Sequence, residues 1–167
     1  MVAVAFVVSV ALAAPGAGTE QPPVKVAAAS TVTMQAFTAP DLDGEPWSPS
    51  PGRPLLVNLW ASWCAPCLVE LPVIVALHRD HGHAIDVVGI AVDDNVDRAR
   101  RTAQGAGVAY PLVLSANEPI RERFAVDELP STFLFAADGS LLWSHEGPVQ
   151  AGDPALAAAL ERVVAAP

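Results

Sequence analysis

Cysteine and basic residues are scarce in this 167-residue chain, and each shortage excludes a class of protein. Only Cys64 and Cys67 are present, so the chain cannot form the disulfide framework of a small secreted scaffold. Lys25 is the only lysine among nine basic residues, and 18 acidic residues bring the net charge to −9. Because no basic stripe is present, nucleic-acid binding lacks electrostatic support, and we expect no nucleic-acid partner.

The first fourteen residues, MVAVAFVVSVALAA, contain no charge. As a helix they would span about 21 Å, short of the roughly 30 Å hydrocarbon core of a bilayer. This length and the small residues near Ala13 are typical of a signal peptide, although no basic residue precedes them. We therefore expect residues 1–14 to be a signal peptide or a retained membrane anchor, with a core strand or helix as the alternative.

Residues 15–33 are rich in Pro, Gly, Ser and Thr and show no hydrophobic period, which predicts a flexible linker. The compact domain is expected over 34–167. Within it, short apolar runs alternate with stretches of helical spacing. We predict two short extended pieces around a turn at 41–44. After them, strands are predicted at 55–60, 84–92, 110–114, 131–135 and 140–145, and helices at 65–80, 95–105, 118–124 and 153–164.

The first of the longer predicted helices begins at the cysteine pair. Its spacing places four residues near one face of the helix: Leu68, Leu71, Val75 and His78. Strands that alternate with helices and end in a hairpin and a helix predict an α/β protein with a sheet covered by helices on both faces.

The pair Cys64-x-x-Cys67 is compatible with a metal site or with a redox-active dithiol. A zinc site needs four ligands, and His78 and His81 are the nearest candidates. Cys67 and His78 are eleven positions apart, which in a continuous helix is about 16 Å. One tetrahedral ion cannot bridge that distance, so the sequence favours a redox pair with no metal.

The position of the pair supports redox chemistry. Free N–H groups and the positive end of the helix dipole favour a thiolate at Cys64. Pro66 fits the first turn of a helix, where its missing N–H costs little. Cys67 lies one turn on, as a shielded partner able to resolve a mixed disulfide. Glu70 is the only charged residue between Leu55 and Leu77, and we expect it to perturb the inner thiol or carry its proton, unless it is a solvated surface residue.

Two separated motifs resemble those of the thioredoxin fold, and within it the TlpA/ResA-like extracytoplasmic thiol–disulfide oxidoreductases. The first is LLVNLWASWCAPCLVELP at 55–72, and the second is RFAVDELPSTFLFAADG at 123–139. The resemblance covers about residues 35–165. It implies a thioredoxin-like fold, with a central mixed β-sheet flanked by helices on both faces and a short N-terminal β-hairpin extension.

The resemblance also implies a role for each site residue. Cys64 would be the nucleophile, Cys67 the resolving thiol and Glu70 the acidic residue that accompanies them. The peptide bond before Pro130 would be cis, so that the Leu129 backbone could bind an extended substrate. Trp63 would pack beside the disulfide, with core filling as the alternative, and Pro66 belongs to the same substrate-facing motif.

The function implied is exchange of electrons with protein cysteines outside the cytoplasm, with a membrane thiol protein as electron donor and no cofactor besides the Cys64–Cys67 disulfide. Relatives include reductants that prepare apocytochrome c for haem attachment and oxidases of secreted proteins. The motif is compatible with either direction of electron flow. The alternatives are a copper- or zinc-binding thiol module and a thioredoxin-fold peroxidase.

Overall fold

A computed structural model describes residues 38–93, 95–115, 124 and 126–164. The predicted signal peptide or anchor at 1–14 and the linker at 15–33 lie outside the described residues. So do the predicted start of the domain at Met34 and, apart from Phe124, the helix expected over 118–124.

The described elements follow the alternation expected from the sequence. The strands are β1 (Ala39–Pro40), β2 (Pro46–Trp47), β3 (Leu55–Trp60), β4 (Asp86–Ala91), β5 (Leu112–Leu114), β6 (Ser131–Phe135) and β7 (Leu141–Glu146). The helices are α1 (Ala65–His81), α2 (Val96–Gly105) and α3 (Pro154–Val164). Apart from the helix expected over 118–124, their positions confirm the predicted strands and helices to within a few residues at each end.

Strands β3 to β7 form one five-stranded sheet in the order β5-β4-β3-β6-β7. The pairs β3–β4 and β4–β5 are parallel, whereas β3–β6 and β6–β7 are antiparallel. The sheet is therefore mixed, as predicted. Its central strand β3 is buried along its whole length, which explains why the run LLVNLW is apolar at every position except Asn58.

Alternation along β3 separates two cores. Leu55, Val57 and Leu59 belong to a cluster that includes Ala39 and Phe124, so the described part of the N-terminal hairpin covers this face. Leu56 and Trp60 point to the opposite face, where they pack with residues of the three helices. The helix contacts on that face are Leu71 and Ile74 of α1, Ala99 and Ala103 of α2, and Leu156 and Leu160 of α3.

The short strands β1 and β2 pair in antiparallel fashion, which confirms the predicted N-terminal hairpin extension. The Asp41 carboxylate shapes the turn by accepting hydrogen bonds from the backbone N–H groups of Asp43 and Glu45, at 2.8 and 2.9 Å. The Leu42 N–H donates to the Leu112 carbonyl at 3.0 Å. The hairpin is thus attached to β5 at the edge of the main sheet.

The four residues expected near one face of α1 differ in burial, since Leu71 is buried, Val75 and His78 are half-buried and Leu68 is exposed. Its buried residues are Cys67, Glu70, Leu71 and Ile74, whereas Leu68 is 41% exposed. The interior side of the helix thus includes Glu70, its only charged residue before Arg79. Among the residues that the structure describes, no helix combines the length and the apolar character needed to cross a membrane.

Candidate active site

Cys64 lies at the junction between β3 and α1, where the chain turns from the sheet into the helix. Its N–H donates to the Ala61 carbonyl at 3.1 Å, and its own carbonyl accepts from the Leu68 N–H at 3.2 Å. Cys64 is the N-cap of α1, and its Sγ accepts a hydrogen bond from the Cys67 N–H at 3.2 Å. A thiolate at this position would accept the same bond and face the positive end of the helix dipole.

The two sulfurs form a disulfide with an S–S distance of 2.06 Å. Cys67 is fully buried, whereas Cys64 retains 6% exposure. The sulfur at the start of the helix is therefore the one that a partner can reach. Pro66 is exposed in the first turn of α1 and fits there as expected, since a first-turn residue needs no intrahelical N–H partner.

The second motif meets the first in space. The peptide bond between Leu129 and Pro130 is cis, as the resemblance implies. Leu129 packs against the cluster that contains both cysteines, although it is 65 positions from Cys64 along the chain. The Pro130 carbonyl accepts a hydrogen bond from the Gly147 N–H at 2.8 Å. The cis-proline loop is thus bonded to the segment after β7 and packed against the cluster that contains the disulfide.

Trp63 lies at the outer side of the junction and is 56% exposed. It does not fill the core, so that alternative for Trp63 was wrong. Trp60, by contrast, is fully buried and packs with the two cysteines and with Ala61.

Glu70 is 1% exposed, and its carboxylate accepts three hydrogen bonds. Oε2 accepts from Asn58 Nδ2 at 3.0 Å, while Oε1 accepts from Thr132 Oγ1 at 3.1 Å and from the Val149 N–H at 3.0 Å. The donors come from β3, from β6 and from the segment after β7. The alternative of a solvated surface residue was therefore wrong for Glu70.

Burial raises the pKa of Glu70 above its ordinary value of 4.5, and the hydrogen bonds from Val149, Asn58 and Thr132 oppose this shift only in part. Burial also raises the pKa of the Tyr110 hydroxyl, and the Glu70 charge adds to that shift. A group that carries the proton of a buried thiol must bind that proton more tightly than an exposed carboxylate does. The raised pKa of Glu70 meets this requirement.

Asp93 is a further buried carboxylate that the sequence reasoning missed. It is 2% exposed and accepts hydrogen bonds from the Ser62 N–H, at 2.8 Å, and from the Ser62 hydroxyl. It follows β4, and Ser62 follows β3. Because parallel strands end at the same edge of a sheet, the topology could have indicated that the two would meet near Cys64. Asp93 therefore anchors the loop that carries the outer cysteine.

Within the described residues, no group of three or more His, Cys, Asp or Glu side chains is arranged to hold a metal ion. Helix α1 runs without interruption through both Cys67 and His78, so the separation of about 16 Å expected from helix geometry applies. The set of ligands considered from the sequence is not brought together.

Comparison with known proteins agrees with this geometry. The chain is 25% identical to the thiol-disulfide oxidoreductase ResA of Bacillus subtilis (strain 168), over 54% of this chain and 51% of ResA. It is 32% identical to the thiol:disulfide interchange protein CycY of Rhizobium leguminosarum bv. viciae, over 73% of this chain and 61% of CycY. The chain thus matches little more than half the length of these relatives.

A solved structure extends the comparison to three dimensions. The thiol:disulfide interchange protein of the thioredoxin family from Chlorobium tepidum TLS matches with a TM-score of 0.66 and 26% identity, over 77% of this chain and 92% of that one. This confirms the thioredoxin-like fold. The family model named Redoxin matches residues 29–160, and the protein therefore belongs to the Redoxin family.

Proposed function

We propose that this protein is a thiol–disulfide oxidoreductase that exchanges electrons with cysteines of other proteins. One observation carries the proposal: Cys64 of the Cys64–Cys67 disulfide caps the N-terminus of α1, and Leu129 of the cis-proline loop packs against the cluster that contains both cysteines. The helix terminus favours a reactive thiolate, and the loop offers backbone to an extended partner beside it. The names of ResA and CycY describe the same class of activity.

In the reducing direction, the Cys64 thiolate attacks one sulfur of a partner disulfide. A bond forms between Cys64 and that sulfur, and the other partner sulfur leaves as a thiolate. Cys67 then loses its proton and attacks the Cys64 sulfur, which releases the second partner thiol and closes the Cys64–Cys67 disulfide. Two electrons pass to the partner, and in the oxidising direction every step runs in reverse.

Glu70 is proposed to exchange the proton of Cys67 in these steps. It lies one helical turn beyond that residue, and its buried position raises its pKa. Trp63, Pro66, Leu129 and Pro130 are proposed to bind the partner, as the resemblance implies. The redox group is the cysteine pair itself, so no cofactor takes part.

The partners are proposed to be exported proteins with thiols or disulfides, and the protein is proposed to work outside the cytoplasm with a membrane thiol protein as electron donor. The apolar segment at residues 1–14 supports export. Thiol reduction during cytochrome c maturation is the role that the resemblance implies for a reductant, and oxidation of secreted proteins is the counterpart for an oxidant.

The roles of the two cysteines can be tested with a pair of serine variants. We expect Cys64→Ser to lose exchange with a disulfide peptide, because the nucleophile is gone. Cys67→Ser should accumulate a mixed disulfide, because nothing resolves it. Mass spectrometry under non-reducing conditions measures both. Exchange retained by Cys64→Ser, with no covalent adduct on Cys67→Ser, would contradict the assignment.

The direction of electron flow follows from the reduction potential of the pair, measured against a series of glutathione redox buffers. A potential close to that of thioredoxin, about −270 mV, would support a reductant. One close to that of strong periplasmic oxidants, about −120 mV, would support an oxidase.

A further inference from the structure

The Asp93 carboxylate is buried without a counter-ion among the residues that the structure describes. Its hydrogen-bond donors are the N–H and the hydroxyl of Ser62, which bond to Oδ2 and Oδ1 respectively. Both oxygens act as acceptors, which is the arrangement of an ionised carboxylate. None of the ion pairs formed between described residues includes Asp93. Its negative charge is therefore compensated by two neutral donors.

This charge lies close to the outer cysteine. Asp93 Oδ2 is 2.8 Å from the backbone nitrogen of Ser62, and Ser62 is two positions before Cys64. Since consecutive Cα atoms are about 3.8 Å apart, the carboxylate is no more than about 12 Å from the Cys64 Cα. Val92, which precedes Asp93, packs against the apolar cluster that contains both cysteines. The charge and the sulfur therefore share surroundings that hold little water.

Other charged groups on the described elements around this cluster are arranged differently. Glu70 is the second buried charge, and its carboxylate is bonded to β3, to β6 and to the segment after β7. The remaining ones are exposed or form ion pairs: Asp43 of the hairpin, Asp97, Arg98, Arg100 and Arg101 of α2, and Asp127 and Glu128 before the cis-proline. Asp93 is thus the buried charge that is bonded to the loop carrying Cys64.

Two opposite electrostatic effects act on Cys64 once the disulfide is reduced. The N-terminus of α1 favours the Cys64 thiolate. A second negative charge nearby disfavours it, and burial strengthens this repulsion because little water screens it. Asp93 therefore makes the reduced pair less stable than the helix terminus alone would make it. A pair whose reduced form is less stable is the stronger reductant.

We propose that Asp93 is a positioning residue that holds a negative charge beside Cys64 and thereby biases the Cys64–Cys67 pair toward donating electrons. This inference rests on the proposed exchange of electrons with protein cysteines and gives that exchange a direction. The partner disulfide is reduced to two thiols, and the Cys64–Cys67 dithiol is oxidised to its disulfide. Two electrons pass to the partner, and the protons of the dithiol balance those taken up by the partner thiolates. Ser62 serves this role by fixing the carboxylate.

The redox equilibrium of a neutral variant tests the proposal. Full-length wild type and Asp93→Asn are equilibrated with mixtures of glutathione and glutathione disulfide, and the reduced fraction is measured by maleimide labelling. We expect the constant for oxidation by glutathione disulfide to be about tenfold smaller in Asp93→Asn where Cys64 is ionised, because a like charge in a poorly hydrated site has an effect of this order. Tenfold corresponds to a potential about 30 mV less negative.

The dependence on pH separates an electrostatic effect from a change in the loop. Titration from about pH 6 to pH 9 converts Cys64 from thiol to thiolate. A thiol does not repel the carboxylate, so the difference between wild type and Asp93→Asn should shrink as the pH is lowered. If Asp93 only held the loop in place, the difference would be the same at every pH.

Further variants locate the effect. Glu161→Gln also removes one negative charge, but from an exposed position on α3, and should leave the equilibrium constant unchanged. Ser62→Ala removes one bond to the carboxylate and keeps its charge, so the constant should not fall. Asp93→Ser is a second neutral variant, which should shift the constant as Asp93→Asn does and provides the test if that protein does not fold.

The outcomes separate this inference from the proposed function. Equal constants in wild type and the neutral Asp93 variants would overturn the role of Asp93 and leave exchange itself intact. An equal fall in Ser62→Ala, or in Glu161→Gln, would also overturn it, since the cause would then be the loop or the overall charge. If wild type does not exchange with glutathione at any ratio of its two forms, the proposed function fails and the inference with it.

Discussion

Glu70 shows how strongly the surroundings of one residue decide its chemistry. It is 1% exposed, it accepts three hydrogen bonds, and none of its donors carries a charge. Removing a carboxylate from water favours its protonated form, and neutral donors recover only part of the lost hydration. The raised pKa of Glu70 therefore follows from where the fold places it.

The raised pKa of Glu70 leads to a prediction about how stability depends on pH. Between its ordinary pKa of 4.5 and the raised value in the folded protein, Glu70 holds a proton when folded and releases it when unfolded. The folded state then binds more protons, so the free energy of unfolding should fall as pH rises through this interval. Glu70→Gln cannot ionise, and its stability should change less with pH over the same interval.

Urea unfolding of the oxidised proteins, wild type and Glu70→Gln, from about pH 4 to pH 8 measures this difference. Parallel pH profiles for the two proteins would show that the carboxylate does not keep its proton on folding. Glutamine is the suitable replacement because it resembles protonated glutamate in size.

Asp93 and Ser62 make a second prediction for single residues. Ser62→Ala removes the hydroxyl that donates to the carboxylate and should lower the free energy of unfolding by about 1 kcal/mol. Asp93→Ala also leaves the Ser62 N–H without its partner, so the loss should be larger, about 2–3 kcal/mol. Denaturant unfolding measures both, and alkylation of reduced Cys64 by iodoacetamide reports whether the loop has moved. Equal losses in the two variants would show that the Ser62 N–H does not depend on Asp93.

The sequence identified the residues of the site whose chemistry is local. Cys64, Cys67 and Pro130 belong to short motifs, and their positions followed directly. The burial of Glu70 could not be read from its neighbours, because its donors are Asn58, Thr132 and Val149, which are distant along the chain. The exposure of Leu68 likewise depends on which side of α1 packs on the sheet, and the spacing of the apolar residues does not specify that side.

At the scale of elements, α1 has two different faces with different tasks. Its inner face packs Leu71 and Ile74 against the sheet, and its outer face near the cysteines is apolar but uncovered. A helix of this kind does not show the simple amphipathic pattern from which burial is inferred. Which apolar residues stabilise the fold must therefore be measured.

A pair of alanine variants in α1 provides that measurement. Ile74→Ala should destabilise the protein by about 2–5 kcal/mol, because it leaves a cavity at a fully buried position. Leu68→Ala should change stability by no more than about 0.5 kcal/mol, as expected for an exposed site. Thermal or urea unfolding compares the two. A loss at Leu68 as large as that at Ile74 would contradict the orientation of the helix.

The elements themselves were predicted well wherever a buried strand gave a continuous apolar run or a helix gave a clear hydrophobic periodicity. The runs at 55–60 and 131–135 match β3 and β6 at both ends. The run at 84–92 was too long at both ends compared with β4, since apolar residues continue beyond the paired backbone. The sequence pattern shows which residues are apolar, whereas the ends of a strand depend on where its backbone pairs with the neighbouring strand.

At the scale of the whole molecule, the charge of −9 should influence which disulfides react fastest. The field of an acidic protein attracts cations and repels anions, and salt screens both effects. We expect the reduced protein to react with cationic cystamine about threefold faster than with anionic glutathione disulfide, after each rate is divided by that of a small-thiol reference at the same salt concentration.

The difference should shrink as sodium chloride is added, and uncharged hydroxyethyl disulfide should show little dependence on salt. Stopped-flow tryptophan fluorescence over a salt series measures the three rates. A preference for cystamine that is insensitive to salt would indicate a local contact at the site in place of the overall field.

The three hydrogen bonds to Glu70 have a consequence for protein engineering. A designer who grafted only the stretch from Trp60 to Pro72 onto another scaffold would transfer both sulfurs. The Glu70 carboxylate would then be without the three donors that form hydrogen bonds to it here. The graft would have to include the matching positions at 58, 132 and 149 as well. The cysteine motif and its buried carboxylate therefore cannot be transferred to another scaffold as one continuous segment.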